Sequence, residues 1–368
     1  MYLCSHFKKD HLALHFHKLI VKDIKTETPE CVSIAFDIPI ESKKDFQYTQ
    51  GQNITVRIFE GGEETRRSYS ICSSPFDDEF RIAVKKVSDG KFSTFANEKL
   101  KKGDQLEVLP PTGTFFTEIK SSHKKNYVFF AAGSGITPVI SIIKTILAKE
   151  TESSVTLLYG NKNANSIIFK EDLQSLKDKF LQRFSLFTVL SREQTDSDFT
   201  TGRIDVSKCD HLTRIINFNK VDDFFICGPE QMIFTVKDFL KGWGIESKKI
   251  HFELFTTPTK KNIPIYTAAV QSNEKGSDVT VKIDGHSFDF KLDYNGKVIL
   301  DAALAQGADV PFACKGGVCC TCKARLLEGE VKMEANYGLE KSEVKAGYIL
   351  TCQSHPVSQK VVVDYDEI

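Results

Sequence analysis

The 368-residue chain carries no net charge, with 49 Lys and Arg against 49 Asp and Glu. That balance gives no electrostatic argument for nucleic acid or an anionic membrane as a partner. No apolar run approaches the roughly 20 residues that a membrane-spanning helix needs. The opening stretch MYLCSHFKKDHLALHFHK also lacks the uninterrupted apolar core of a secretory signal. Internal repeats and low-complexity tracts are missing too, which argues against a solenoid. Without a secretory signal, ten cysteines do not suggest a disulfide scaffold. The close pairs Cys319-Cys320 and Cys320-x-Cys322 suit metal chemistry in a reducing compartment instead. These absences lead to the expectation of a soluble, cytoplasmic protein of two or three domains.

The charge is nevertheless unevenly placed. Residues 277–368 hold 14 acidic and 10 basic side chains, and the first 276 hold 35 and 39. A mildly acidic tail on a mildly basic body fits docking between domains.

Residues 1–17 read as a polar leader bearing His11, His15 and His17, expected to be a frayed extension rather than a metal site. Over 18–118, short β-type runs (31–36, 53–59, 67–71, 80–87, 105–110) alternate with Gly, Pro and Asp, and one helix fits 93–100. This density of strands predicts a small antiparallel barrel. Residues 119–256 switch to alternating strands and helices. Strands fit 127–132, 155–160, 184–191 and 223–228, and helices fit 138–149, 170–180 and 230–241. Such a βαβ series implies a parallel sheet covered on both faces. The stretch 257–276 has no clear period and reads as a linker. Beyond it, 277–368 has a hairpin with a DG turn, a short helix near 298–306, a cysteine loop and a closing strand KVVVDY. That pattern is a compact α+β module.

Cys314, Cys319, Cys322 and Cys352 are spaced C-x4-C-x2-C and then 29 residues to the fourth. This is the ligand spacing of a plant-type [2Fe–2S] cluster. Zinc is the alternative, but zinc sites usually pair two short C-x2-C hooks. Cys320 breaks the spacing and reads as a bystander. Gly316-Gly317 free the backbone to wrap close to sulfur.

Further motifs precede the cysteines. Arg67-Ser68-Tyr69-Ser70 lies on a barrel strand, followed by Val84-Lys85 and by Gly90-Lys91-Phe92-Ser93 at a helix start. Gly133-Ser134-Gly135-Ile136-Thr137-Pro138 links a strand to a helix, where backbone N–H groups favour phosphate. Its spacing is not the G-x-G-x-x-G fingerprint. Ser191-Arg192-Glu193-Gln194 follows a later strand, Arg203 lies beyond it, and Cys227-Gly228-Pro229-Glu230-Gln231-Met232 ends the last apolar strand. A hydroxyl and a guanidinium at a sheet edge can clamp a 2′-phosphate.

Together the order of domains and these motifs resemble the ferredoxin–NADP reductase superfamily fused to a C-terminal plant-type ferredoxin. The resemblance covers about 18–368. It implies an FAD-binding antiparallel β-barrel, an α/β NADP-binding domain and a β-grasp ferredoxin domain. Alternation puts Arg67 and Tyr69 on one face of the strand and Ser68 and Ser70 on the other. By resemblance, Arg67 pairs with the flavin pyrophosphate, Tyr69 packs on the isoalloxazine, and the motif's serine reaches N5. Val84 and Lys85 line the ribityl side, while Gly90, Phe92 and Ser93 form the phosphate turn that favours FAD over FMN. Gly133, Gly135, Thr137 and Pro138 match the family's G-x-G-x-x-P turn for the nicotinamide coenzyme. Ser191, Arg192 and Arg203 favour NADPH over NADH. Cys227, Gly228 and Met232 match the C-G-P-x-x-M motif beside the nicotinamide, and Glu253 in HFELF is the acid near the ring. The residues expected at the reacting end are therefore Tyr69, Ser70, Cys227 and Glu253.

The activity implied is electron transfer from NADPH through FAD and the [2Fe–2S] cluster to a protein acceptor. LHFHKLIVKDIKTET and CKGGVCCTCKARL are most similar to reductases serving multicomponent oxygenases of aromatic, phenylacetyl-CoA, degradation. A Rieske-type oxygenase or the hybrid cluster protein is an alternative acceptor. A flavin and iron–sulfur redox-sensing module is the alternative from another class.

Overall fold

The computed structural model describes residues 14–256 and 276–367. They fall into two compact units, one within Phe16–Pro258 and the other made of residues 14–15 together with those described within Thr259–Ile368. All but the last residue of the stretch read as a linker lies outside the described residues, as does the histidine at position 11.

The first unit begins with six antiparallel strands: β1 (His17–Thr28), β2 (Cys31–Asp37), β3 (Asn53–Glu60), β4 (Glu63–Ser70), β5 (Phe80–Lys85) and β6 (Gln105–Val108). They pair in the order β4-β3-β6-β1-β2-β5. An isolated bridge between Ile71 and Ile82 joins the two ends of that order, closing a barrel. Alternation drives the inside: Leu19 and Val21, Ile54 and Val56, and Ile82 and Val84 are all fully buried. Helix α1 (Lys91–Glu98) sends Phe92 and Ala96 into the same core.

The leader is shorter than expected, because His17 already belongs to β1. Its ring meets Phe46 edge-on at 5.3 Å, and its Nδ1 lies 3.1 Å from Ser42 Oγ. Phe16 lies under the Arg57 guanidinium, 3.8 Å from ring centroid to Cζ. A cation over an aromatic face is attractive, so this contact ties Phe16, the first residue of this unit, to the barrel.

The same unit continues through β7 (Asn126–Ala132), α2 (Ile136–Lys149), β8 (Ser154–Asn161), α3 (Lys170–Lys179) and β9 (Phe184–Leu190). It then adds α4 (Val206–Ile215), β10 (Asp223–Cys227), α5 (Glu230–Gly242) and β11 (Ile250–Glu253). The strands form one parallel sheet in the order β11-β10-β7-β8-β9. From β7 the chain builds outward to β9, then returns to the other side with β10. The crevice at the C-terminal ends of β7 and β10 is thus the place where such sheets take ligands.

At the opposite end of this sheet, the Glu150 carboxylate is wholly buried. It accepts from Tyr127 Oη (3.0 Å), Ser153 Oγ (2.7 Å), His123 Nδ1 (2.8 Å) and Lys120 N (3.3 Å). Glu150→Ala leaves these donors facing a cavity, so a loss of about 3 kcal/mol is expected. The check is a lower urea midpoint for the variant.

The second unit pairs β12 (Gly276–Ile283), β13 (His286–Asp293), β14 (Lys323–Glu328), β16 (Tyr348–Leu350) and β18 (Lys360–Asp364) in the order β13-β12-β18-β14-β16, with β15 (Val331–Met333) and β17 (Ser354–Pro356) as a separate pair. Asp284 and Gly285 both have positive φ (53° and 71°), as a two-residue hairpin turn of the mirror type requires. Helices α6 (Ile299–Ala305) and α7 (Lys341–Lys345) complete it. Among the described residues, no helix is long and apolar enough to cross a membrane.

Candidate functional site

The barrel strand β4 ends at Ser70, and its hydroxyl donates to Glu253 Oε2 at 3.2 Å across 183 residues of sequence. Glu253 is the last residue of β11 and the registered neighbour of Cys227 at the end of β10. Three of the four residues expected at the reacting end therefore meet at one seam. The fourth, Tyr69, is half-buried with its ring 5.2 Å from that of Phe92. Burial pushes the Tyr69 phenol up, with the Arg67 charge opposing, so it stays protonated at neutral pH. Burial, and then the charge of Glu253, raises the Cys227 thiol well above its ordinary value.

The other flavin-motif residues divide by face. Arg67 is exposed, and among the described residues it has no acidic partner; its Nη1 donates to Arg66 O at 2.7 Å. Ser68 lies 3.3 Å from Thr55 Oγ1 on the paired strand. Val84 differs from expectation, because its side chain is fully buried in the barrel core. Only its backbone can face a ligand, and its carbonyl already accepts from Asn97 Nδ2. Lys85, one residue on, points elsewhere: its Nζ is 3.7 Å from where a Cβ on Gly133 would stand. The barrel thus places a cation at the glycine turn of the sheet.

The two turns expected to hold phosphate are built on tight backbone. A Cβ on Gly90, just before α1, would lie 2.3 Å from Ser93 Oγ. That hydroxyl donates to Gly90 O (3.1 Å) and accepts from Val87 N (3.2 Å), so Ser93 shapes the turn. Helix α2 starts at Ile136, two residues before the predicted Pro138, after a short 3-10 turn at Gly133–Gly135. Gly133 takes φ 54°, and its carbonyl accepts from the buried Tyr159 hydroxyl at 3.0 Å. Thr137 is buried, and its hydroxyl caps the turn by donating to Ser134 O at 2.9 Å. Gly135 allows the turn to touch the end of β10: a Cβ there would sit 2.1 Å from Cys227 O. Gly228 similarly makes room for Met232 Cε, which a Cβ would approach to 2.7 Å.

Ser191 and Arg192 leave the edge strand β9. Ser191 N and Oγ both donate to Asn161 O, at 2.9 and 3.2 Å. Arg192 and Arg203 are both exposed, and among the described residues neither has an ion-pair partner. Two residues here escaped sequence reasoning. Tyr159 holds the Gly133 turn, and the Asn161 side-chain amide is buried with neither of its polar atoms hydrogen-bonded. A buried amide without partners at a strand's ligand-facing end is consistent with a site completed by a bound molecule. Neither residue stands in a recognisable motif, so only the fold exposes them.

The thiols of the second unit are arranged in a row of contacts. Cys319 lies against Cys314, and Cys352 lies against both Cys314 and Cys322. Among the described residues, no three Cys, His, Asp or Glu side chains close around one ion position. A lone zinc would need its sulfurs about 2.3 Å from a common point. Two adjoining pairs fit a binuclear cluster better. Gly316 N donates to Cys314 Sγ and Thr321 Oγ1 to Cys319 Sγ, each at 3.3 Å, as ligand sulfurs require. Cys314 and burial hold the Cys319 thiol well above its ordinary value, so its service as a ligand would require the loss of that proton. Cys320 turns away: it takes φ 57°, and its Sγ would be 2.5 Å from a Cβ on Gly338.

Comparisons with known proteins match this geometry domain by domain. Residues 18–117 match the oxidoreductase FAD-binding domain, 129–238 the oxidoreductase NAD-binding domain and 281–357 the 2Fe-2S iron-sulfur cluster binding domain. The chain is 43% identical to one of the subunits of 1,2-phenylacetyl-CoA epoxidase from Escherichia coli (strain K12), covering 95% of this chain and 98% of that one. It is 34% identical to the ferredoxin reductase component of 3-ketosteroid-9-alpha-monooxygenase from Rhodococcus rhodochrous, covering 94% and 96%. Phthalate dioxygenase reductase shares the fold with a TM-score of 0.56 and 24% identity, over 95% of this chain and 98% of that one. The chain belongs to the family of pyridine-nucleotide-dependent oxygenase reductases that carry FAD and a [2Fe–2S] cluster.

Proposed function

We propose that this reductase is cytoplasmic, prefers NADPH, and delivers electrons to an oxygenase acting in phenylacetyl-CoA degradation. The domains are assigned to 18–118 for FAD, 119–256 for NADPH and 277–368 for the cluster. The observation that carries the reading is the Ser70–Glu253 hydrogen bond, which brings the flavin strand to the strand ends holding Cys227. When bound, FAD and the cluster convert a two-electron hydride into single electrons.

The chain's own residues do the positioning. Arg67 and the 90–93 turn would hold the flavin phosphates, and Tyr69 would pack on the ring. The Gly133–Gly135 turn, with Lys85 above it, would take the coenzyme pyrophosphate. Ser70 and Glu253 keep a proton-sharing pair beside the reacting face. Cys227, held neutral by burial, acts as a small spacer there rather than as a nucleophile. Cys314, Cys319, Cys322 and Cys352 are the cluster ligands.

Arg192 and Arg203, without ion-pair partners among the described residues near the edge of β9, favour a 2′-phosphate. Arg192→Ala combined with Arg203→Ala is expected to lower kcat/KM for NADPH by about 100-fold, two charge-assisted bonds' worth. NADH turnover should change little. Equal losses with both coenzymes would refute the NADPH assignment. The acceptor is tested by reconstitution: a phenylacetyl-CoA oxygenase complex should draw electrons from the reduced chain, and its failure beside success with a ketosteroid oxygenase would redirect the assignment. The partner reading rests on the name of the 43%-identical relative.

A further inference from the structure

Helix α2 follows the coenzyme turn and is packed chiefly by Val139, Ile140, Ile142, Ile143 and Ile146, none more than 1% exposed. Two hydroxyl residues on it, Ser141 and Thr145, are nevertheless 0% exposed. Ser141 Oγ donates to Ser73 O at 2.6 Å. Thr145 gives its single hydroxyl proton to Ser141 O at 2.7 Å, so the 2.9 Å contact with Ser74 must have Ser74 as donor. Ser73 and Ser74 lie just past Ser70 in the chain and are only 1% and 2% exposed. Their strip is itself anchored: Tyr48 Oη reaches Ser73 O (3.1 Å), Arg81 N donates to Ser73 Oγ (3.0 Å), and Cys72 N donates to Arg81 O (2.8 Å).

We infer that Ser141 and Thr145 are positioning residues for hydride transfer, fixing the coenzyme turn at one register against the flavin strand. Aliphatic contacts alone would seal this junction but would let the helix slide. A hydroxyl bonded to one carbonyl defines a register, which matters when one residue of helix is about 1.5 Å. Through Ser73 and Ser74, the bonds connect α2 to the segment carrying Ser70, and so to Glu253 and Cys227. The inference rests on the reading of these three residues as the hydride-transfer face.

The test uses the full chain loaded with FAD, carrying Ser141→Ala with Thr145→Val. Flavin reduction at saturating coenzyme should slow by at least about tenfold, as a displacement of a fraction of an ångström allows. The dissociation constant for oxidised coenzyme should move less than about threefold, because the groups that grip the coenzyme are untouched. In the cofactor-free chain, amide exchange should rise over 71–76 and 136–142 and stay constant in β8. Ser74→Ala, from the other side, should slow reduction likewise, with Thr145→Val adding little to it. Thr145→Ser should keep the wild-type rate. An unchanged saturating rate overturns the inference, as does slowing that Thr145→Ser shares. No reduction of the wild-type flavin by either coenzyme would instead bring down the hydride-transfer reading and this inference with it.

Discussion

Cys319→Ser is expected to strip the chain of its cluster absorbance, while Cys320→Ser keeps it. The two residues are neighbours and both are 7% exposed, so burial does not separate them. Direction does. Cys319 Sγ adjoins Cys314 and accepts from Thr321 Oγ1, whereas Cys320, in the left-handed region, packs toward Gly338. Serine at 319 offers a poorer, harder ligand to iron. Electron delivery to a protein acceptor should fall by more than about 100-fold, beyond what loss of an outer-shell partner costs. Flavin reduction by coenzyme should persist, because that step needs only the first unit. Visible absorbance after iron–sulfur reconstitution checks the pair; a colourless Cys320→Ser beside a coloured Cys319→Ser would reverse the ligand assignment.

Gly135→Ala is expected to be strongly damaging to the first unit. The added Cβ would lie 2.1 Å from Cys227 O, 2.4 Å from Cys227 C and 2.7 Å from Gly228 N. All three are backbone atoms and cannot swing aside, so α2 and the end of β10 must separate. The stability loss should be about 3 kcal/mol or more. Any folded fraction should reduce its flavin about 100-fold more slowly, since the separation opens the proposed hydride-transfer junction. Gly242→Ala is the control: nothing lies within 4 Å of its Cβ position, and it should be neutral or slightly stabilising. Thermal unfolding and stopped-flow flavin reduction measure both effects.

Much of this architecture is legible in the sequence because its elements are locally consistent. The apolar run of β7, short and followed by a Gly-rich turn, reads as a strand buried on both faces, and the DG turn between β12 and β13 carries its own conformational preference. The cysteine spacing announces its metal chemistry before any fold is known. What stayed hidden has physical causes. Strand β1 alternates Leu19 and Val21 against the exposed Ile20, Lys18 and Lys22, but the His-rich stretch before it masks its start. Helix α4 buries only Cys209 and Leu212, too thin a stripe to stand out, although Asp205 caps it through Lys208 N. Strand β11 has four residues, too short for a period to show.

At the site, motif resemblance identifies residues but not the faces they present. Val84 and Lys85 are adjacent in one motif, yet alternation sends one into the barrel core and the other to the coenzyme turn. The Ser70–Glu253 bond joins residues 183 apart, and the Ser141–Ser73 bond joins residues 68 apart. No local pattern encodes such pairings; only the packing of the barrel against the sheet does.

The most direct test is an anaerobic titration of the FAD- and cluster-loaded chain with NADPH, following flavin absorbance and the paramagnetic signal of the reduced cluster together. Electron flow from coenzyme through flavin to cluster predicts that the flavin bleaches and the cluster signal appears in the same titration, whereas Cys319→Ser bleaches without that signal. A cluster that stays oxidised beside a fully bleached flavin, or a flavin that NADPH leaves untouched, would contradict it.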